Sequence, residues 1–237
     1  MKKVVLNDGL EVIGLDAFVD CKSLESIEFP STVRRIGESA FYDCSSLKKI
    51  VLNEGLKKVE DCVFKGCISL ESIKFPSTIR YIGANAFDHS DPVHNRSDLK
   101  EVVFNDGLLR IGEGAFKGCK SLLQVVVPSS VNYLGERAFY ESAKLRKVVF
   151  NEVNTIDNEA FGSCTDLKEV LFKEGLQGVG KASFSRCTSL ERISFPSSLE
   201  KVGEKAFKDC KNLKEVTFSN GIISRGSGRM HFVIVSH

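Results

Sequence analysis

Apolar residues along this chain keep the same offsets from one another nine times over. Phe recurs at positions 18, 41, 64, 87, 116, 139, 161, 184 and 207, at separations of 23, 23, 23, 29, 23, 22, 23 and 23 residues. Around each one sits an aliphatic residue five before, usually a small residue just before, usually Cys three after and Leu six after. An aliphatic and an aromatic residue follow at nine and eleven, as in Leu24, Ile27 and Phe29. Sixteen of the seventeen Phe occupy two positions of this unit. Self-similarity at such a period predicts a solenoid, and each coil is numbered here by its Phe, from Phe18 to Phe207.

Two elements are predicted per coil. The alternation in Leu24 to Phe29 reads as a strand, and Ala40, Phe41 and Cys44 share one side at the spacing of a single helical or 3₁₀ turn. The aliphatic row Ile13, Ile36, Val59, Ile82, Ile111, Leu134, Ile156, Val179 and Val202 faces inward and is followed by Gly in seven of nine coils, with Glu60 and Asp157 as exceptions. A tight turn whose backbone disfavours a β-carbon is the expectation there. Strands end either at Pro, as at Pro30, Pro76, Pro128 and Pro196, or at an Asn-acid-Gly turn, as at Asn53 to Gly55 and Asn105 to Gly107.

The unit Ile-Gly-x-x-Ala-Phe-x-x-Cys-x-x-Leu-x-x-Ile-x-Phe-Pro-x-x-Val resembles the BspA-like branch of leucine-rich repeat proteins over residues 1 to about 223. The resemblance implies an α/β fold: a right-handed solenoid or horseshoe, with a parallel β-sheet on its concave side and short helical or 3₁₀ turns on its convex side. It also implies a surface or secreted protein that binds proteins or matrix components, and it supplies no catalytic residue. An unbroken register predicts one continuous solenoid over residues 1–223, with a non-repeat tail at 224–237.

The charge balance of 33 basic and 31 acidic residues argues against nucleic acid or an anionic membrane as partner. Lys2, Glu25, Lys48, Glu71, Lys100, Leu123, Arg146, Lys168, Glu191 and Lys214 stack at one strand position and read as a charge ladder between coils. Cys21, Cys44, Cys67, Cys119, Cys164, Cys187 and Cys210 share one position, with Cys62 outside it. Stacked coils lie about 4.8 Å apart and disulfide β-carbons about 3.8 Å, so this column is read as reduced and apolar. No Cys-x-x-Cys pair suggests zinc. Residues Met1 to Leu6 match the strand Leu47 to Leu52, so no secretory leader or membrane span is read and the compartment is left open.

Departures from the unit are where particular function is expected. Coil four carries six extra residues within Asp88 to Asp98; His89, Asp91, His94 and Asn95 are the loop candidates there, Asp88, His89, Asp91 and His94 being a conceivable transition-metal set against the reading of a polar, solvated loop, and Asn95-Arg96-Ser97 a glycosylation sequon. Ser90 replaces the column Cys there, and Ser142 does so in coil six, which is one residue short at Asn151 to Thr155 and is expected to change the local curvature. The outward strand position reads Val103, Val126, Val149 and Leu171 in four consecutive coils, with Leu123 nearby. Such a strip suggests a binding face, with Glu101, Gln124, Lys147 and Glu169 lending specificity. In the tail, Phe232 to Val235 could cap the stack.

No catalytic residue, cofactor or metal site emerges. Gly175 to Ala182 mimics a phosphate loop but lacks the metal-binding hydroxyl, and its glycines are repeat positions. The expectation is a non-enzymatic module that binds a protein, or second a glycan, through the concave sheet. The alternative is a structural repeat protein that self-associates through uncapped ends.

Overall fold

The computed structural model describes residues 2–90 and 96–219, together with the backbone of the strand Ile222–Ser224. Ten strands of three or four residues, from Lys3–Val5 to Glu215–Phe218, alternate along the chain with nine two-residue strands, from Val12–Ile13 to Lys201–Val202. Equivalent strands of successive coils pair in parallel, so each coil adds one strand to a long-strand row, hydrogen-bonded in four ladders with breaks between them, and one to a short-strand row. The fold is a parallel β-solenoid.

The helical turn expected around each Phe is not formed, and the α/β expectation is corrected accordingly. Around Phe41, Ser39 and Asp43 both have φ of +54°, a left-handed conformation that a right-handed helix excludes. The segment is instead a run of β-turns, closed by Ala40 N–H to Gly37 O at 3.2 Å and Tyr42 N–H to Ser39 O at 3.0 Å. The alternate amides of Ser39, Phe41 and Asp43 donate to Asp61, Val63 and Lys65 carbonyls of the next coil at 3.1, 2.9 and 2.8 Å. A helix would consume those amides internally, whereas the stack needs bonds between coils on every side. Cys62 stands outside the cysteine column because it holds one of these left-handed positions, with φ of +55°.

The core is built in columns. The nine turn Phe stack in one line, with neighbouring centroids 5.1 to 5.7 Å apart. Strand Phe meet them edge-on, as Phe75 meets Phe87 at 86° and Phe150 meets Phe161 at 88°. All eight cysteines are free. The column thiols are more than apolar filler: from Cys44 onward each donates to the carbonyl of the previous coil's Phe, as Cys44 does to Phe18 at 3.1 Å and Cys164 to Phe139 at 3.3 Å. Ser142 makes the same bond to Phe116 at 3.3 Å. Coil six nevertheless shows its missing residue, since its two-residue strand meets the next only through Leu134 and Ile156.

From Gly37 onward the glycine after the inner aliphatic residue is explained by proximity rather than by φ, whereas Gly14 of the first coil has open space around it. A β-carbon on Gly37 would lie 2.6 Å from the Leu15 amide nitrogen, and one on Gly203 only 2.4 Å from the Gly180 carbonyl carbon. Where Glu60 replaces that glycine, the short-strand sheet divides into a pair and a run of seven. The Asn-acid-Gly turns form as expected, with Asn105 Oδ1 accepting from the Gly107 amide at 2.7 Å. Among the described residues, the charge ladder closes as ion pairs at Lys2–Glu25, 3.2 Å, and Lys214–Glu191, 3.0 Å. That second partner also holds the Glu191 carboxyl below its usual range.

Candidate binding surface

The long-strand sheet buries Val125, Val148 and Val170 and turns the alternate residues outward. Register locks Val126 beside Val149 and Val149 beside Leu171. Val126 is 50% exposed, Leu171 43% and Leu123 44%, whereas Val149 between its neighbours is only half-buried rather than fully outward. Val103 is exposed on the same row and pairs with Lys74. The strand ladder is interrupted between the Val103 and Val126 strands, so the expected strip of four is a locked trio with Val103 across a break.

Its polar neighbours divide. Glu101 and Gln124 are exposed, while Lys147 and Glu169 pair with each other at 2.8 Å and spend their charge within the sheet. Exposed pairs of this kind contribute about 0–1 kcal/mol.

Of the loop candidates, His89 alone falls within the described residues. Asp91, His94 and Asn95 lie outside the described residues, as does the Phe232 to Val235 segment. His89 is buried at 1% exposure, and its Nδ1 lies 2.8 Å from Ser97 Oγ and 3.9 Å from Cys119 Sγ. Burial pulls its pKa down to about 4, against the opposing pull of Asp88, the Phe64 carbonyl and Asp98. Burial likewise raises the Cys119 thiol well above its usual value and that of Cys44 to about 12, so these core thiols are not nucleophiles. Among the described residues, no three His, Cys, Asp or Glu side chains are grouped to hold a metal.

Two surface features escaped sequence reasoning. An open groove of about 580 Å³ is lined by Val51, Lys74, Phe75, Val103, Phe104 and Asn105. It lies where the long-strand ladder breaks between the Val51 and Lys74 strands, and no sequence signal marks that break. On the short-strand sheet, Arg110 pairs in register with Tyr81 and Tyr133 and stacks 4.5 Å from the Tyr133 ring centroid. A count of residues two before each Gly would have aligned these three side chains.

The repeat profile described as a BspA type leucine rich repeat region matches in six copies, over residues 1–95, 93–214 and 177–230. The chain belongs to the BspA-type leucine-rich repeat family. No curated protein matches this BspA-type chain in sequence. Among solved structures, the leucine rich repeat protein of T. pallidum is 27% identical, with 89% of this chain and 77% of that one covered and a TM-score of 0.52. A leucine-rich repeat protein from Eubacterium ventriosum is 18% identical over 92% and 81%, with a TM-score of 0.53. The pneumococcal vaccine antigen PcpA is 20% identical over 93% and 73%, with a TM-score of 0.51. The last two likenesses speak to the fold.

Proposed function

We propose that this BspA-type repeat protein is a non-enzymatic interaction module that binds a protein partner, ahead of a glycan, through the outward face of its long-strand sheet over coils five to seven. The observation that carries the reading is the register-locked trio Val126, Val149 and Leu171, joined by exposed Leu123. Contiguous outward apolar side chains bordered by polar ones mark interaction surfaces, and a stack bonded along two sheets and a turn ladder presents them without rearrangement. A cell-surface or secreted location goes with this reading, as the family implies. Self-association through the stack ends is the weaker reading, because Ile222–Ser224 runs antiparallel against Glu215–Phe218 and takes that sheet edge.

Capture from an extract of the source organism tests it, with wild type beside a Val126→Lys, Leu171→Lys variant and bound proteins identified by mass spectrometry. A partner held by wild type and weakened at least tenfold in the variant, at an unchanged unfolding midpoint, is the expected outcome. Undiminished binding by the variant would overturn the assignment of this face.

A further inference from the structure

Among the described residues, one buried side-chain polar atom lacks a hydrogen-bond partner, and it is Nε2 of His89. A polar group left this way in a core is costly, and a charged one far more so. Its position is specific. Ser90 stands at the column position of coil four, yet it is the His89 ring, one residue earlier, that reaches the column, with Nδ1 3.9 Å from the Cys119 thiol of coil five. The same nitrogen is bonded to Ser97 across the extra residues of this coil.

That contact organises a junction. Ser97 Oγ also accepts from the Leu99 amide at 3.4 Å, and the Asp98 amide reaches back to Ile68 O of coil three at 2.8 Å. The His89 amide donates forward to Lys117 O of coil five at 2.8 Å. Coil five comes so close here that a β-carbon on Gly118 would lie 2.6 Å from the Ser90 amide nitrogen. Across the same junction the long-strand ladder is interrupted. The coil four to coil five contact here combines the short-strand pairing, the turn amides of Asn85 and Phe87 and the packing around this ring.

We propose that His89 is an acid-sensitive lock on the junction between coils four and five: its neutral imidazole holds Ser97 and the start of the following strand in the stack, and protonation drives the ring out and parts the two coils locally. The charged and titratable groups around the ring are Asp88 and Asp98 on its own coil, Lys65 of coil three bonded to Asp88 at 3.5 Å, Arg96 bonded to Asp98 at 2.8 Å, and Cys119 of coil five. Both carboxylates already have a cationic partner, and their pull together with that of the Phe64 carbonyl is outweighed by burial of the ring. The sign follows from linkage. An expelled ring returns toward the ordinary value of 6.5 while the buried ring titrates near 4. The locked form is therefore favoured above pH 6.5 and loses up to tenfold per pH unit between those values. Val103 and Val126 lie on either side of this junction, so opening would move Val103 away from the trio Val126, Val149 and Leu171 and leave the trio itself intact.

Native-state hydrogen exchange on the full chain at pH 7.5 and pH 5.5 tests the lock, read as protection factors so that intrinsic exchange cancels. The amides of His89, Asp98 and Leu99 should lose protection about tenfold at the lower pH, while Gly203, bonded to Val179 at 2.6 Å, does not change. In a His89→Leu variant, which keeps both carboxylates and the other three histidines, protection should be the same at both pH values. Constant protection in wild type, or an equal loss in the variant, would overturn the proposal. Should the variant fail to fold, the imidazole resonances of His89 in wild type decide: a ring that titrates near 6.5 within the intact fold sinks the idea, and one still neutral at pH 5.5 supports it.

Discussion

The rings of Phe87 and Phe116 stack 5.1 Å apart and 3° from parallel, although the chain between them is six residues longer than between most neighbouring Phe of the repeat. The insertion leaves the aromatic column untouched because the six residues are added between the turn and the strand and not within either.

That column sets the first expectation. Phe116 is fully buried, stacked on both Phe87 and Phe139 and met edge-on by Phe104, so Phe116→Ala removes a large side chain and three ring contacts. A cost of about 3–5 kcal/mol is expected from urea unfolding. Phe18 is half-buried and has one stacked neighbour in the column, Phe41, and Phe18→Ala should cost less than half as much.

Close coil approach makes the glycines unequal. Gly203→Ala places a methyl 2.4 Å from the Gly180 carbonyl carbon, a backbone atom that cannot swing aside. Destabilisation of about 1–3 kcal/mol is expected. At Gly178 the new methyl meets Thr155 Cγ2 at 3.5 Å, an ordinary contact, and Gly178→Ala should leave the midpoint unchanged or raise it slightly. Equal losses at the two sites would remove proximity as the reason for the repeat glycine.

The thiol column separates hydrogen bonding from packing. Ser142 shows that a hydroxyl can replace the thiol on the Phe116 carbonyl, so Cys164→Ser should retain a bond to Phe139 and lose less than about 1.5 kcal/mol. Cys164→Ala leaves that carbonyl only the Ser142 amide at 3.2 Å and should cost about 0.5–1.5 kcal/mol more than the serine variant. Thermal midpoints of the two variants measured together check the order.

Much of this was legible in the sequence because the repeat amplifies it. One Phe, one Leu and one aliphatic position, recurring at fixed offsets, specify an inward side coil after coil, and Asn105 before Asp106 and Gly107 specifies a turn through its own side chain. The outward row Val126, Val149 and Leu171 followed from the same alternation. The turn segment was misread because Ala40, Phe41 and Cys44 also satisfy a helical spacing; the left-handed φ of Ser39 and Asp43 has no reliable residue code outside glycine.

By itself the sequence determined the periodicity, the inward faces and the register, since these depend on which side chains must leave water together. Only the tertiary structure decided how closely the coils approach, which amides bond between coils, where the long-strand ladder breaks, and that His89 enters the core while Lys147 and Glu169 neutralise each other. These depend on distances of a few tenths of an ångström and on partners more than twenty residues away in the chain. A local pattern cannot carry either, because hydrogen bonds and burial are settled by what the fold places opposite each group.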